Sequence, residues 1–237
     1  MTTSHVFPIE LHADPEHSGV RTVVTLSLIA LMFLVFFVVS QLFNAQSGDS
    51  PFILVCGITL PVALGIAWGI EAMLKRVWHS GRSVQITDRH VIAKNRVQAD
   101  VQLSLDQEIV QLQWQFKMGD YPRGGRERRI ANGWFCLAVQ LQQGNKTLTA
   151  FSYLSPKKVA ALSDSIEFRQ LQMDEVYDTS VRARMFLTPT RPDISAKVLT
   201  GGNGRYWLAE KNRWNEGYEF TPSDFEIFLQ NLQQKEK

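Results

Sequence analysis

The chain has 237 residues, with 25 Lys and Arg against 23 Asp and Glu, two Cys and 45% hydrophobic side chains, and its mean hydropathy of −0.11 is that of a soluble protein. The average conceals two unlike parts: residues 22–48 and 50–70 contain no charged side chain, whereas residues 76–237 carry 23 Lys and Arg against 18 Asp and Glu. That partition excludes a simple soluble enzyme, a collagen-like or disordered chain, and a disulfide-stapled secreted module.

Residues 1–20 read as an N-terminal cytosolic arm. His5, His12 and His17 lie in it with Asp14 and Glu16 nearby, but nothing in their spacing fixes a ligand geometry, so a solvated, loosely ordered arm without metal is expected. A transmembrane hairpin follows over 21–75. Its first span, about 22–43, is an apolar run long enough to cross a bilayer core of about 30 Å, and the acidic segment before it is unlike a cleaved signal peptide. The second span, about 51–74, contains Pro61, which is expected to kink it, and the pair Gly65 and Gly69 in GxxxG spacing. Small residues let helices approach closely in lipid, so Gly65 and Gly69 are candidate packing residues, against the first span or against a partner. Glu71 precedes Lys75 by four residues, the favoured order for a helical ion pair. Only Ala45–Ser50 joins the spans, and it holds no Lys or Arg, whereas Arg21, Lys75, Arg76 and Arg82 flank them outside. Both termini are therefore expected in the cytoplasm, with Trp78 at the interface.

From Arg82 the hydrophobic period changes to two. Val84 and Ile86, then His90–Lys94, then Val97 to Leu105, alternate about turns, and Val110 to Met118 puts five apolar residues on one face. Phe135 to Leu141 alternates again, and Gln143-Gly144-Asn145 turns into Thr147–Leu154. Ser155 and Pro156 open a helix with Val159, Leu162 and Ile166 at helical spacing. A β-rich domain with a closing helix is expected over 82–173. A second strand-plus-helix unit is expected over 176–237, separate from that domain or part of it. In that unit Val181 to Leu187 alternates, Gly201-Gly202-Asn203-Gly204 reads as a hairpin turn into a strand at Tyr206 and Leu208, and Thr221-Pro222-Ser223-Asp224 caps a last helix with Phe225, Phe228, Leu229 and Leu232 on one face.

The paired spans, the step SVQITDRHVIAKN (Ser83–Asn95), the strand meander ending in SPKK, and the ending GYEFTPSDFEIFLQNL (Gly217–Leu232) resemble the membrane-anchored bacterial pleckstrin-homology-like proteins. The resemblance implies a membrane-anchored α+β protein: a two-helix transmembrane hairpin followed by a PH-like antiparallel sheet or barrel with C-terminal helices. It also implies a multi-pass protein of the inner, cytoplasmic membrane.

Motifs for catalysis are absent from the sequence: there is no HExxH, GxSxG, Walker A loop or CxxC pair. A non-enzymatic role without cofactor is expected, with Cys56 and Cys136 as two unpaired thiols. The most informative polar feature is Gly119–Gly133, which holds Arg123, Arg126, Arg128 and Arg129. These arginines are the candidate contact surface for anionic lipid or an acidic partner, the alternative being a solvated loop. Nucleic acid is not expected, because the aromatics follow strand periodicity rather than forming a stacking platform. A mixed cluster, Arg205-Tyr206-Trp207 through Arg213-Trp214, reads as core packing with snorkelling stems or as a partner surface. The function expected is a scaffold or binding module for a membrane complex or anionic lipid. The alternative is a small accessory subunit of a transport or respiratory assembly, bound through its hairpin to a membrane partner or a second copy.

Overall fold

Both uncharged stretches fold as helices in a computed structural model, which describes residues 7–47, 52–96, 98–119, 121, 123–124, 127, 129–163, 166–177 and 193–233. The chain divides into Asp14–Ser80 and a second unit made of Met1–Ala13 with Gly81–Lys237.

In the first unit, α1 (Ser18–Ser47) and α2 (Phe52–Val77) run antiparallel. Both contain a 26-residue stretch long and apolar enough to cross a membrane, about 39 Å at 1.5 Å per residue. Val55, Thr59, Ala63 and Ala67, one residue every helical turn, are the buried residues of α2. Their small side chains let the helices approach, and Thr59 satisfies its hydroxyl on the Val55 carbonyl at 2.8 Å. Large apolar side chains point outward instead: Phe33 is 74% exposed, Ile53 86% and Trp68 75%. Pro61 lies inside α2, which continues through it. At the charged end Lys75 binds Glu71 and Glu16, both at 2.7 Å, and His17 stands edge-on to Trp78 with ring centres 5.3 Å apart.

The second unit begins with β1 (Ile9–His12), in the segment expected to be a loosely ordered arm. It pairs antiparallel with β2 (Arg82–Ile86), His12 opposite Ser83, and β3 (His90–Asn95) and β4 (Gln98–Ser104) complete a sheet in the order β1-β2-β3-β4. No period-two pattern announces β1, because only four residues pair and the partner strand lies some 70 positions away.

A second sheet has β5 (Val110–Lys117), β6 (Phe135–Gln143) and β7 (Lys146–Leu154) as an antiparallel meander. Two short strands, β8 (Arg169–Gln170) and β9 (Tyr218–Glu219), add parallel to β5 and β7, giving the order β8-β5-β6-β7-β9. The turn between β6 and β7 uses Gly144 at φ +56°, a backbone region that glycine enters without strain.

The middle strands are buried on both faces. From one face, Leu137, Val139, Leu141, Leu148 and Ala150 join Val84, Ile86, Val91 and Leu103 of the first sheet in one core. From the other, Cys136, Ala138, Phe151 and Tyr153 join Leu112, Trp114 and Phe116 of β5 in a second core. The first core is closed by α6 (Pro222–Gln233), whose Phe225, Phe228 and Leu229 are fully buried. Thr221 caps α6: its hydroxyl accepts from the Asp224 amide at 3.2 Å and donates to the Asp224 carboxylate at 2.7 Å. The helix expected to close the domain, α3 (Pro156–Ser163), contributes Val159 with Leu162 partly buried.

The expected strand at Tyr206 and Leu208 is not formed. After a one-turn α4 (Ala196–Leu199), residues Gly204–Glu216 form α5. Gly204, Trp207, Glu210 and Arg213 are buried along it at helical spacing, and that three-residue period outweighs the two-residue echo of Tyr206 and Leu208. The glycine cluster is thus a junction between helices, not a hairpin turn: a Cβ on Gly204 would stand 1.9 Å from the Leu199 carbonyl oxygen. The expected strand at Val181–Leu187 lies outside the described residues.

Candidate binding groove and its ionic support

On α5 the inward face carries charge. Glu210 and Arg213 sit one turn apart, with the Arg213 Nε donating to Glu210 at 2.7 Å and one Nη donating to the other carboxylate oxygen at 2.8 Å. The same Nη donates to Glu127 at 2.7 Å, and both side chains are 1% exposed. The Trp114 indole N–H donates to Glu210 at 3.0 Å, and the guanidinium lies 4.8 Å from the centre of the Phe151 ring. Burial works against a charge on Arg213, but the neighbouring acidic groups outweigh it, and its pKa lies above that of an ordinary guanidinium. Tyr153, whose hydroxyl accepts from Arg213 at 3.4 Å, is pushed well above the usual phenol range by burial, with Arg213 acting in the opposite sense.

Glu127 reaches Arg213 from the arginine-rich loop between β5 and β6. The neck of that loop is closed by Gly133 N–H donating to Met118 O at 2.8 Å. Arg123 braces it from within, donating to Ile130 O and to Asn132 Oδ1 at 2.6 Å each. Arg129 forms an ion pair with Glu219 on β9. Arg123 thus braces the loop itself, and Arg129 ties the loop to β9 while remaining exposed. Arg126 and Arg128 lie outside the described residues.

Gly65 and Gly69 are exposed on α2, and a Cβ on either would meet nothing within 4 Å. The contact between the two helices is thus carried by the Ala63 and Ala67 stripe, and the glycines stand off it. Glu71, by contrast, forms the expected pair with Lys75. Cys56 and Cys136 are in no disulfide. Among the described residues, no group of three or more His, Cys, Asp or Glu side chains could hold a metal ion.

Two of the hollows lined by described residues lie on the second unit. One, of about 310 Å³, lies beside β5 and β8 and includes Lys117, Tyr121, Gln170 and Asp174. The larger, of about 590 Å³, lies where β4, β7 and the end of α5 meet, and its walls include Arg82, Asn95, Asp100, Thr147, Asn215 and Tyr218. The size is that of a small-molecule site. Arg82 is held in one position there: its guanidinium donates to Glu216 O at 2.6 Å and Gly217 O at 3.2 Å, and it lies 4.0 Å over the Tyr218 ring.

The sequence placed Arg213 in a cluster expected to pack in the core or to face a partner, and Trp207 and Arg213 are indeed buried, but it did not point to Glu127 and Glu210 as the acidic partners of Arg213, because their meeting depends on α5 being a helix. The signal was present in the spacing Trp207, Glu210, Arg213, three residues apart, which puts the three side chains on one helical face. The groove had no linear signature, since its walls come from strands and a helix distant in sequence. No protein-family model, curated protein or solved structure matches the chain.

Proposed function

We propose that this protein is a two-span protein of the inner, cytoplasmic membrane whose cytosolic PH-like domain acts by binding rather than catalysis, as a scaffold or module for a membrane complex or for lipid. The observation that carries the reading is the pairing of β1 with β2 across the hairpin. Strands of one sheet must fold in one compartment, so residues 9–12 and 82–86 lie on the same side of any membrane that α1 and α2 cross. Two spans satisfy that requirement, and Lys and Arg on the outer flanks support the cytoplasm as that side. The outward apolar side chains of both helices support insertion, since a water-exposed hairpin would present a contiguous apolar surface. A four-stranded sheet, the β5-β6-β7 meander and the closing helix α6 support the PH-like reading. The mutual pairing of Glu127, Glu210 and Arg213 supports a structural use of the buried charge.

The test is a pair of reporter fusions, one at each terminus, with alkaline carbonate extraction of the membranes. Cytoplasmic signals from both ends and retention in the pellet are expected. An external signal from either end, or release by carbonate, overturns the reading. The open face at Gly65 and Gly69 favours a second role for the hairpin. As an accessory subunit of a transport or respiratory assembly, the chain would present that face to a membrane partner or a second copy.

A further inference from the structure

The larger groove deepens this reading, and rests on it, by suggesting what the domain binds. We propose that it takes a phosphoethanolamine group, the zwitterionic headgroup chemistry of phosphatidylethanolamine.

The charge of the walls carries the choice. Asp100 and Glu216 line the groove together with Arg82, two acidic residues beside one guanidinium among the lining residues. A bare anion meets a net negative wall there, and a bare cation meets Arg82. A ligand with an ammonium and a phosphate satisfies both signs at once. Arg82 suits the phosphate because its position is fixed before the ligand arrives, by two backbone carbonyls and the Tyr218 ring, which lowers the ordering cost of binding. Asp100 is exposed on β4 and suits the ammonium, with Asn95, Asn215 and Thr147 adding neutral donors and acceptors. An ammonium with N–H groups can donate to these oxygens, whereas the quaternary ammonium of phosphocholine cannot.

The experiment uses the full chain in a non-phospholipid detergent, titrated with dihexanoyl phosphatidylethanolamine, its phosphatidylcholine and phosphatidylglycerol counterparts, and free phosphoethanolamine. Saturable binding of the phosphatidylethanolamine is expected, weakened about tenfold or more in Asp100→Asn, as for loss of a hydrogen bond to a charged group. Asp100 is exposed, so that variant should keep the wild-type melting temperature; Asn215→Ala is a second, independent test of the same wall. Arg82→Gln is less informative because Arg82 also ties β2 to the end of α5. Equal binding of free phosphoethanolamine assigns the groove to a soluble ligand, and binding of the lipid alone assigns it to the membrane. Phosphatidylglycerol bound as tightly as phosphatidylethanolamine, indifference to Asp100→Asn, or no binding overturns the assignment. A chain that resists carbonate extraction yet binds no headgroup loses the groove's ligand and keeps its membrane anchor.

Discussion

Glu127 and Arg213 meet at 2.7 Å with both side chains 1% exposed, although 86 residues separate them in sequence. Glu127 lies in the loop between β5 and β6, and Arg213 lies on α5, so the pair ties that loop to the helix covering the second core. Glu210 shares the same guanidinium. Removing Arg213 takes its buried charge away from two buried carboxylates, and breaking a buried ion pair from one side costs about 3–5 kcal/mol. Arg213→Met is therefore expected to lower stability by that amount. Glu127→Gln keeps an acceptor and leaves Arg213 paired with Glu210, so a loss of about 1.5–3 kcal/mol is expected. Urea unfolding of the detergent-solubilised full chain, followed by tryptophan fluorescence, measures both. Similar small losses from the two variants would mean that the network contributes little.

Tyr153 gives the domain an alkaline limit. Burial raises its pKa above the value of about 10 that the phenol has in the unfolded chain. The folded state therefore holds the proton more tightly, and this stabilisation is full below pH 10 and lost as pH rises towards the folded-state pKa. Melting temperatures measured from pH 8 to pH 11.5 should fall steeply above pH 10 in the wild type and less steeply in Tyr153→Phe. Parallel curves would remove Tyr153 as the source.

Much of this fold was legible in the sequence because its strands are written at short range. Val84 and Ile86, Leu112 to Phe116, and the Gly144 turn each carry their own period or turn chemistry, and the Thr221 cap announces α6. What stayed hidden depended on distant partners. Ile9–His12 becomes a strand on the edge that β2 offers, and Cys136 and Ala138 of β6 are buried in the second core, to which α5 adds Trp207 and Ala209. Two of the four candidate arginines also hold partners that no linear pattern announces, Arg123 on Ile130 and Asn132 and Arg129 on Glu219.

The two candidate closing helices make the same point testable. Phe228 of α6 is fully buried in the first core, in contact with Phe220 at a ring distance of 5.6 Å. Phe228→Ala is expected to cost about 3–5 kcal/mol through lost transfer energy and the cavity left behind. Val159 of α3 sits at the margin of the same core at 7% exposure, and Val159→Ala is expected to cost about 1 kcal/mol. The same urea titration measures both, and a reversed order would return the closing role to α3.

Within the hairpin, Ala63 and Ala67 bear the contact between α1 and α2, and Gly65 and Gly69 do not. Large side chains should therefore act differently at the two pairs. Ala63→Leu with Ala67→Leu forces bulk into a close helix contact, and overpacking of this kind typically costs about 1–3 kcal/mol, so the melting temperature of the full chain should fall. Gly65→Leu with Gly69→Leu meets open space on the hairpin's own surface, so the melting temperature of the monomer should hold. If that face packs against a membrane partner or a second copy, the glycine variant should lose the co-purifying species while the alanine variant loses stability first. Gentle detergent extraction with mass spectrometry of the associated proteins, beside a thermal melt, separates the two effects. A glycine variant that melts early would place Gly65 and Gly69 inside the hairpin contact after all, and one that keeps every co-purifying species would leave that face to the lipid.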